Sequence, residues 1–278
     1  MAILIPRQPS YWRRKPNVPV EVDRNNPIGE RLTNCIYNGA NTVFDGATAS
    51  IPVSSGDIVQ DGTLELPGIN DYVDMGPTPV SGSTNRSLFA VARSPVSTSH
   101  SRYLATIDPF SSGLTSQRWS VAKTTAGVLR VEINGSGHST SLSLSGTDTE
   151  YIGCSLDGTQ LRHHRLFLDG AFENATGTAT LNTNSSYNLR AGNAMDGATT
   201  RQWFGSIDLW LFADSAMADE EFLSLSENPY QVLKRRKTYF LFPDTGAAPI
   251  STKKLTTVQT LDRGFGQVRA ARLGGILQ

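Results

Sequence analysis

Apolar and polar residues alternate in short runs along the middle of the chain, between residues 43 and 242. Typical runs are Ser87–Arg93, Val128–Ile133 and Gly205–Phe212. In a β-strand, alternation puts every second side chain on the same face, so these runs suit strands with one buried face. Asp-Gly dipeptides, which adopt the positive φ angles of hairpin turns, separate several of the runs. The pattern predicts an all-β fold, an antiparallel β-sandwich of many short strands.

The alternation is interrupted once inside this region and is absent at both ends of the chain. Residues 216–226 place apolar side chains near helical spacing, with three acidic residues in the first turns, which predicts one short helix. Residues 1–42 contain five prolines and no periodicity, and they predict an extended N-terminal arm. Residues 243–278 lack alternation and include several basic residues, so they predict a basic C-terminal arm.

The net charge of the chain is zero at pH 7, with 25 basic and 25 acidic residues. This balance does not favour a general attraction to nucleic acid or to a membrane. The charge is nevertheless uneven, since both ends are basic and the middle is acidic. We find neither a signal-peptide pattern nor an apolar run near the ~20 residues that a transmembrane helix needs. Cys35 and Cys154 are expected to be reduced, although a disulfide between them stays open.

Four segments of the middle region carry motifs that occur in a recognisable order. They are Leu64–Met75, Leu166–Gly170, Leu189–Gly192 and Trp203–Phe212. In this order they resemble the laminin-G-like jelly-roll domains of the concanavalin A-like lectin and glucanase superfamily. The resemblance covers most of residues 60–226. It implies that the sandwich over residues 43–242 is a jelly roll.

Two flanking segments, Asn26–Leu32 and Ser226–Lys237, resemble sequences that accompany this domain in virion proteins of tailed bacteriophages. The resemblance implies a protein made in the host bacterial cytoplasm and located in the virion. Its role would be structural, as a capsid decoration or cement protein that clamps neighbouring subunits with its arms. The implied partners are the major capsid protein, other virion proteins, or further copies in a homo-oligomer or lattice. The alternative is a carbohydrate-binding tail, collar or fibre component that recognises a host surface glycan.

The superfamily that the motifs resemble includes glucanases, so catalytic residues must be considered. These enzymes place two glutamates and an aspartate on one strand, beside the glycosidic bond that is cleaved. The nearest fragments, Glu21–Asp23 and Glu132–Asn134, are incomplete, so we predict a non-enzymatic protein without catalytic residues. Asp208 and Asn193–Asp196 offer oxygens of the kind that bind structural Ca²⁺ in some related domains. Such side chains more often bind nearby backbone, and we predict neither a metal nor a cofactor.

Histidine and tryptophan side chains are further candidates for metal or ligand binding. Adjacent His163 and His164 point to opposite faces of a strand, so they cannot bind a metal as a pair and are expected at the surface. Trp119, Trp203 and Trp210 lie inside apolar runs and are expected in the core.

The residues predicted to contact partners lie in the two basic arms. Trp12 sits in an arm without a core of its own, so it either anchors an interface or docks on the sandwich of the same molecule. The basic run around Arg235 lacks the interleaved aromatic residues of nucleic-acid readers. It is expected to pair with an acidic surface of a neighbour or of the sandwich of the same molecule, or to be simply solvated. The predicted contact residues are Tyr11, Trp12, Arg13, Arg14, Lys15, Lys234, Arg235, Arg236, Lys237, Lys253 and Lys254.

Overall fold

The structure is a computed structural model of the chain. The residues that it describes are 14–38, 42–45, 64–66, 72–82, 84–94, 101–108, 118–134, 136–157, 163–176, 181, 183–193 and 202–236.

Antiparallel strands form two large sheets. The strand order of the six-stranded sheet is β10 (Ser136–Ser143), β9 (Val128–Ile133), β8 (Trp119–Lys123), β7 (Arg102–Asp108), β14 (Asn188–Ala191) and β5 (Val73–Pro77). The main path of the eight-stranded sheet is β13 (Ala171–Thr176), β12 (His163–Leu168), β11 (Glu150–Leu156), β6 (Arg86–Arg93), β15 (Ser206–Ala213), β2 (Leu32–Asn38) and β3 (Thr42–Asp45). This architecture confirms the predicted all-β sandwich.

The smaller elements attach to these sheets. β4 (Leu64–Glu65) pairs with β15 and completes the eight-stranded sheet. β1 (Val20–Val22) and β16 (Leu233–Arg235) pair with each other in a two-stranded ribbon. The helices are α1 (Pro27–Arg31) and α2 (Asp219–Glu227), and α2 confirms the predicted helix. Among the described residues, no helix is both long and apolar enough to span a bilayer.

The main core lies between the two large sheets. Trp119, Trp203 and Trp210 are fully buried in it, as predicted. Arg86 is buried beside them, and its guanidinium group donates a hydrogen bond of 2.8 Å to the carbonyl oxygen of Gly82. Burial disfavours the charged form and lowers the pKa of Arg86 to about 9.

A second core lies on the outer face of the eight-stranded sheet. There Phe222 of α2 stacks on Phe167 of β12, with ring centroids 5.6 Å apart. Gly153 of β11 makes room for this contact, since a Cβ atom at residue 153 would lie 2.6 Å from the Phe222 ring. We call this cluster the second core; it also includes Val20, Val22, Ile28, Leu32, Cys35, Tyr37, Phe89, Val91, Leu209, Leu211, Ala213, Met217, Leu225, Tyr230, Val232 and Leu233.

The described part of the predicted N-terminal arm differs from an extended segment. Asn26 caps α1 through its side chain, and Pro27 begins that helix, where a missing N–H costs nothing. The next stretch, Leu32–Asn38, contains no proline and forms β2 within the eight-stranded sheet. Val20–Val22 likewise buries both its valines in the second core. Residues 20–38 therefore pack against the sandwich because their apolar side chains are buried there.

The two cysteines lie in different cores. Cys35 belongs to the second core and Cys154 to the main core, and both are buried free thiols. Burial raises the pKa of the Cys154 thiol, which therefore stays protonated and unreactive.

Candidate functional site

The outer face of the six-stranded sheet, which points away from the main core, is lined by polar side chains. Core residues such as Ile107, Trp119, Val131 and Leu189 alternate along the strands with polar residues on the opposite face. These outward residues are Thr106, Asp108, Arg118, Ser120, Arg130, Glu132, Asn188 and Arg190. Four neighbouring strands thus each bring two polar side chains to one face.

The strand register aligns several of these side chains in one row. Arg190 of β14 lies opposite both Asp74 of β5 and Thr106 of β7. Thr106 is in turn opposite Ser120 of β8, and Ser120 is opposite Glu132 of β9. Since neighbouring strands lie ~4.8 Å apart, the side chains of one row reach one another.

Charged side chains on this face form a chain of alternating sign, which we call the charge ladder. In spatial order its members are Asp74, Arg190, Asp108, Arg118, Glu132 and Arg130. Arg190 reaches Asp74 at 3.1 Å (Nε to Oδ2) and Asp108 at 3.5 Å (Nη1 to Oδ1). Arg118 reaches Asp108 at 3.3 Å (Nε to Oδ2) and Glu132 at 3.8 Å (Nη1 to Oε2).

Glu132 is held by several donors at the β9 end of the ladder. Arg130 forms an ion pair with its Oε1 atom, and the Tyr103 hydroxyl donates to the same oxygen at 2.8 Å. The Ser120 hydroxyl donates to Oε2 at 3.4 Å. These donors fix the Glu132 carboxylate in place, so it is poorly suited to act as a mobile general acid.

The opposite end of the ladder, at β5, is also accessible; we call Tyr72, Asp74 and Asn188 the β5 end. Asp74 accepts hydrogen bonds of 2.9 Å from the Gly76 N–H and from Asn188 Nδ2. Its side chain is 17% exposed, and those of Tyr72 and Asn188 are half-buried. The Arg190 guanidinium carbon lies 5.7 Å from the centroid of the Tyr72 ring. A carboxylate, an amide and an aromatic ring therefore meet here.

The middle of the ladder is buried. The side chains of Asp108, Arg118 and Arg190 are between 0% and 4% exposed, and only the terminal members Asp74 and Arg130 reach about a fifth. Removing charges from water costs several kcal/mol per ion, and apolar residues of similar volume are often at least as stable. Burying the four central charges is therefore not what stability alone favours, and it points to a functional arrangement.

One hydroxyl in the row lacks a hydrogen-bond partner among the described residues. Thr106 is 1% exposed, and its Oγ1 atom makes no hydrogen bond within the part of the chain that the structure describes. Buried hydroxyl groups are usually hydrogen-bonded, because an unsatisfied one costs ~1–3 kcal/mol. Thr106 lies between Arg190 and Ser120 in the row, so this unmet hydrogen bond belongs to the ladder face.

The sequence-predicted candidates for metal binding lie elsewhere. Asp208 sits at a register irregularity of β15, where its carboxylate contacts Lys15 Nζ at 2.8 Å. This ion pair differs from the backbone contact that we expected. Asn193 is buried, whereas residues 194–196 lie outside the described residues. Across the described stretches, no three His, Cys, Asp or Glu side chains are grouped to hold a metal ion.

Two described members of the predicted partner-contact set form ion pairs within the chain. Lys15 pairs with Asp208, while Lys234 approaches Glu21 Oε1 at 3.7 Å and Asp23 Oδ1 at 3.6 Å. The remaining described members are the exposed Arg14 and Arg236 and the half-buried Arg235. Tyr11, Trp12, Arg13, Lys237, Lys253 and Lys254 lie outside the described residues. Their role in partner contact stays a prediction.

The surface prediction for the histidine pair is wrong for His164. Its side chain is fully buried, and its Nε2 atom accepts a hydrogen bond of 3.1 Å from Trp119 Nε1. Burial follows from the register, because His164 occupies the same face of β12 as Leu166 in the main core. The His163 side chain lies outside the described residues.

The charge ladder itself was missed by the sequence reasoning, which considered Glu132 only as a fragment of a glucanase motif. A signal was present, because Arg-x-Ser at Arg118, Arg-x-Glu at Arg130 and Asn-x-Arg at Asn188 each put polar residues two apart within strands. Only the pairing of those strands shows that the pairs share one face.

Comparison with solved structures shows what the fold is similar to. The carbohydrate-binding module CBM40 of the Ruminococcus gnavus IT-sialidase aligns over its whole length with 62% of this chain, at 14% identity and a TM-score of 0.50. The same module bound to α2,3-sialyllactose aligns at 16% identity over 62% of this chain and 100% of its own, with a TM-score of 0.49. The binding domain of botulinum neurotoxin serotype G aligns with 70% of this chain, which covers 50% of that structure, at 15% identity and a TM-score of 0.50.

These similarities concern the fold. They agree with the lectin-like β-sandwich that the sequence motifs imply, and the chain is a sandwich of this class. No protein-family model matches the sequence, and no curated protein matches it.

Proposed function

We propose that this chain is a non-catalytic carbohydrate-binding protein that holds a glycan at the β5 end of the outer face of its six-stranded sheet. The observation that carries the proposal is the charge ladder, whose accessible β5 end combines Tyr72, Asp74 and Asn188. Two solved structures of similar fold support it, since one is a carbohydrate-binding module and the other is a toxin binding domain.

Each member of the β5 end has a distinct role in this proposal. Asp74 accepts hydrogen bonds from sugar hydroxyl groups, because its carboxylate has about four acceptor positions and three internal donors are assigned to it. Asn188 contributes its amide oxygen, and Tyr72 offers a ring face against which the apolar face of a sugar packs. Arg190 lies behind them and holds Asp74 in orientation, as a positioning residue.

A binding role also follows from how the carboxylates are held. Asp108 and Glu132 contact Arg118, and Asp74 contacts Arg190. A hydrolase that cleaves glycosidic bonds needs one carboxyl group that gives up a proton and another that attacks or activates water. Carboxylates fixed by guanidinium groups serve instead as preorganised acceptors, which lowers the entropic cost of binding.

A glycan array probed with the full chain tests this proposal. We expect a defined set of glycans to be bound, and Tyr72→Ala to weaken binding about tenfold by removing the stacking surface. Tyr72→Phe keeps the ring and should bind like the unmodified chain. Asp208→Asn, on the opposite sheet, is the control for a surface carboxylate. An array without bound glycans, or binding that Tyr72→Ala leaves unchanged, would contradict the proposal.

A second proposal concerns attachment, and the β1–β16 ribbon favours it. Val20 lies opposite Arg235 in this antiparallel pair, so the first and last described strands of the chain are neighbours. We propose that the two basic ends jointly attach the protein to an acidic surface of a neighbouring subunit, such as a major capsid protein. In that arrangement the glycan-binding face belongs to a virion component.

Charge reversal at the described ends of the two basic segments tests attachment. The double variant Arg14→Glu, Arg236→Glu should lower co-sedimentation of the full chain with phage particles, since both side chains are exposed. Arg93→Glu reverses another exposed arginine, on β6, and is the matched control. Equal loss in the double variant and the control, or no loss in either, would argue against specific attachment through the ends.

A further inference from the structure

We propose that the β5 end of the charge ladder selects neutral glycans over acidic ones. This inference rests on the carbohydrate-binding function proposed above and narrows its ligand class. Its starting point is the charge balance of the ladder, in which three guanidinium groups alternate with three carboxylates. The members are Asp74, Arg190, Asp108, Arg118, Glu132 and Arg130.

Every guanidinium group of the ladder is already engaged by carboxylate. Arg190 lies between Asp74 and Asp108, and Arg118 lies between Asp108 and Glu132. An acidic sugar is bound most strongly by an arginine that is available for a bidentate contact. In this ladder, the incoming carboxylate would have to displace an internal one. The displaced group would then be a buried charge without its cation, which is strongly unfavourable.

The accessible β5 end presents a negative charge rather than a positive one. Asp74 is its most exposed charged member, while Arg190 behind it is 2% exposed. A carboxylated sugar placed beside Asp74 meets a like charge in a partly buried site, where screening by salt is weak. A neutral hydroxyl group at the same place instead donates a charge-assisted hydrogen bond to the carboxylate.

Matched glycan pairs that differ in one acidic group test this inference on the full chain. We would titrate lactose against α2,3-sialyllactose, and the methyl ester of trigalacturonic acid against trigalacturonic acid itself, by calorimetry. The expected result is that the neutral member of a bound pair binds about tenfold more tightly. Its affinity should also be insensitive to ionic strength, because no net ion pair forms.

The variant Asp74→Asn sharpens the test. Replacing the carboxylate with an amide weakens the acceptor and removes the like charge, so neutral affinity should fall and the preference over the acidic partner should shrink about tenfold. Asp208→Asn, whose exposure is similar at 22%, should change neither affinity.

The outcomes separate this inference from the proposed function. Tighter binding of the acidic members, weakened by salt, would overturn the neutral selectivity and leave glycan binding intact. Equal binding of both members would also overturn it. If neither pair is bound and the glycan array is blank, the proposed function fails, and the inference fails with it.

Discussion

The two outer faces of the sandwich are built from the same alternating strands but carry opposite chemistry. Outside the eight-stranded sheet, the second core buries aliphatic and aromatic side chains beneath α2 and the β1–β16 ribbon. Outside the six-stranded sheet, the charge ladder and its hydroxyl neighbours occupy the equivalent positions. The first face is covered by apolar segments of the chain itself, whereas the second buries a network of ion pairs whose β5 end stays accessible.

Under the proposed function, this difference separates stability from recognition. The second core gains free energy from apolar burial, which scales with area and needs little orientation. The ladder gains little net energy, since desolvation offsets most of its attraction, but it fixes the direction of each donor and acceptor. Substitutions on the two faces should therefore have different consequences.

The largest expected effect is on the apolar face, at Phe222. Its ring is fully buried against Phe167 and Phe89, so Phe222→Ala should lower the free energy of unfolding by about 4 kcal/mol. Thermal unfolding measures the loss. Glycan affinity, measured where the variant is folded, should stay unchanged. The control Leu223→Ala alters the exposed neighbour on α2 and should cost little. Loss of glycan affinity in folded Phe222→Ala would contradict the claim that the apolar face contributes only to stability.

The next effect is on the polar face, at Asp108. Asp108→Asn leaves Arg118 and Arg190 without the central carboxylate of the ladder, which should cost about 3 kcal/mol of unfolding free energy. Glycan affinity should fall as well, because Arg190 orients Asp74. Denaturant unfolding and calorimetry measure the two losses.

The control for this variant is Asp208→Asn, which breaks the half-exposed ion pair with Lys15 on the other sheet. That pair should contribute no more than about 1 kcal/mol. Equal costs for the Asp108 and Asp208 variants would show that the ladder is an ordinary surface network.

The smallest effect is a pH dependence at Glu150, away from both outer faces. Burial raises the pKa of the Glu150 carboxyl above 4.5, while the Ser145 N–H and Lys123 oppose this shift. Folding therefore takes up a proton at this group, and its contribution to stability falls as the pH rises from 4.5 through the raised pKa. The Tm of Glu150→Gln should therefore rise relative to that of the unmodified chain as the pH increases over that range.

Glu173 provides a control of opposite sign. Its carboxylate accepts hydrogen bonds from the Ser141 hydroxyl and N–H, which hold its pKa below 4.5. Its contribution to stability is lost as the pH falls through that lowered pKa. Glu173→Gln should therefore lose Tm relative to the unmodified chain as the pH rises, and a matching trend for both variants would contradict the assignment.

Much of the fold could be predicted from the sequence, but the ladder could not. Alternation within a run is a local property, so it identifies strands and places Trp119 and Trp210 in the core. The contact between Arg190 and Asp74 joins residues 116 positions apart, and no local pattern specifies that pairing. The prediction of an extended N-terminal arm differs from the structure for a related reason. The prolines before Val20 are visible in the local sequence. The pairing of Val20 with Arg235, in contrast, depends on a strand near the other end of the chain.

The most direct test of the account is a map of where a glycan binds. Backbone amide chemical shifts of the full chain would be followed by NMR during titration with a neutral glycan identified on the array. We predict that the largest shifts occur at Asp74, Thr106, Asn188 and Arg190, on the outer face of the six-stranded sheet. Shifts centred on the second core around Phe222, or no shifts at saturating glycan, would contradict the account.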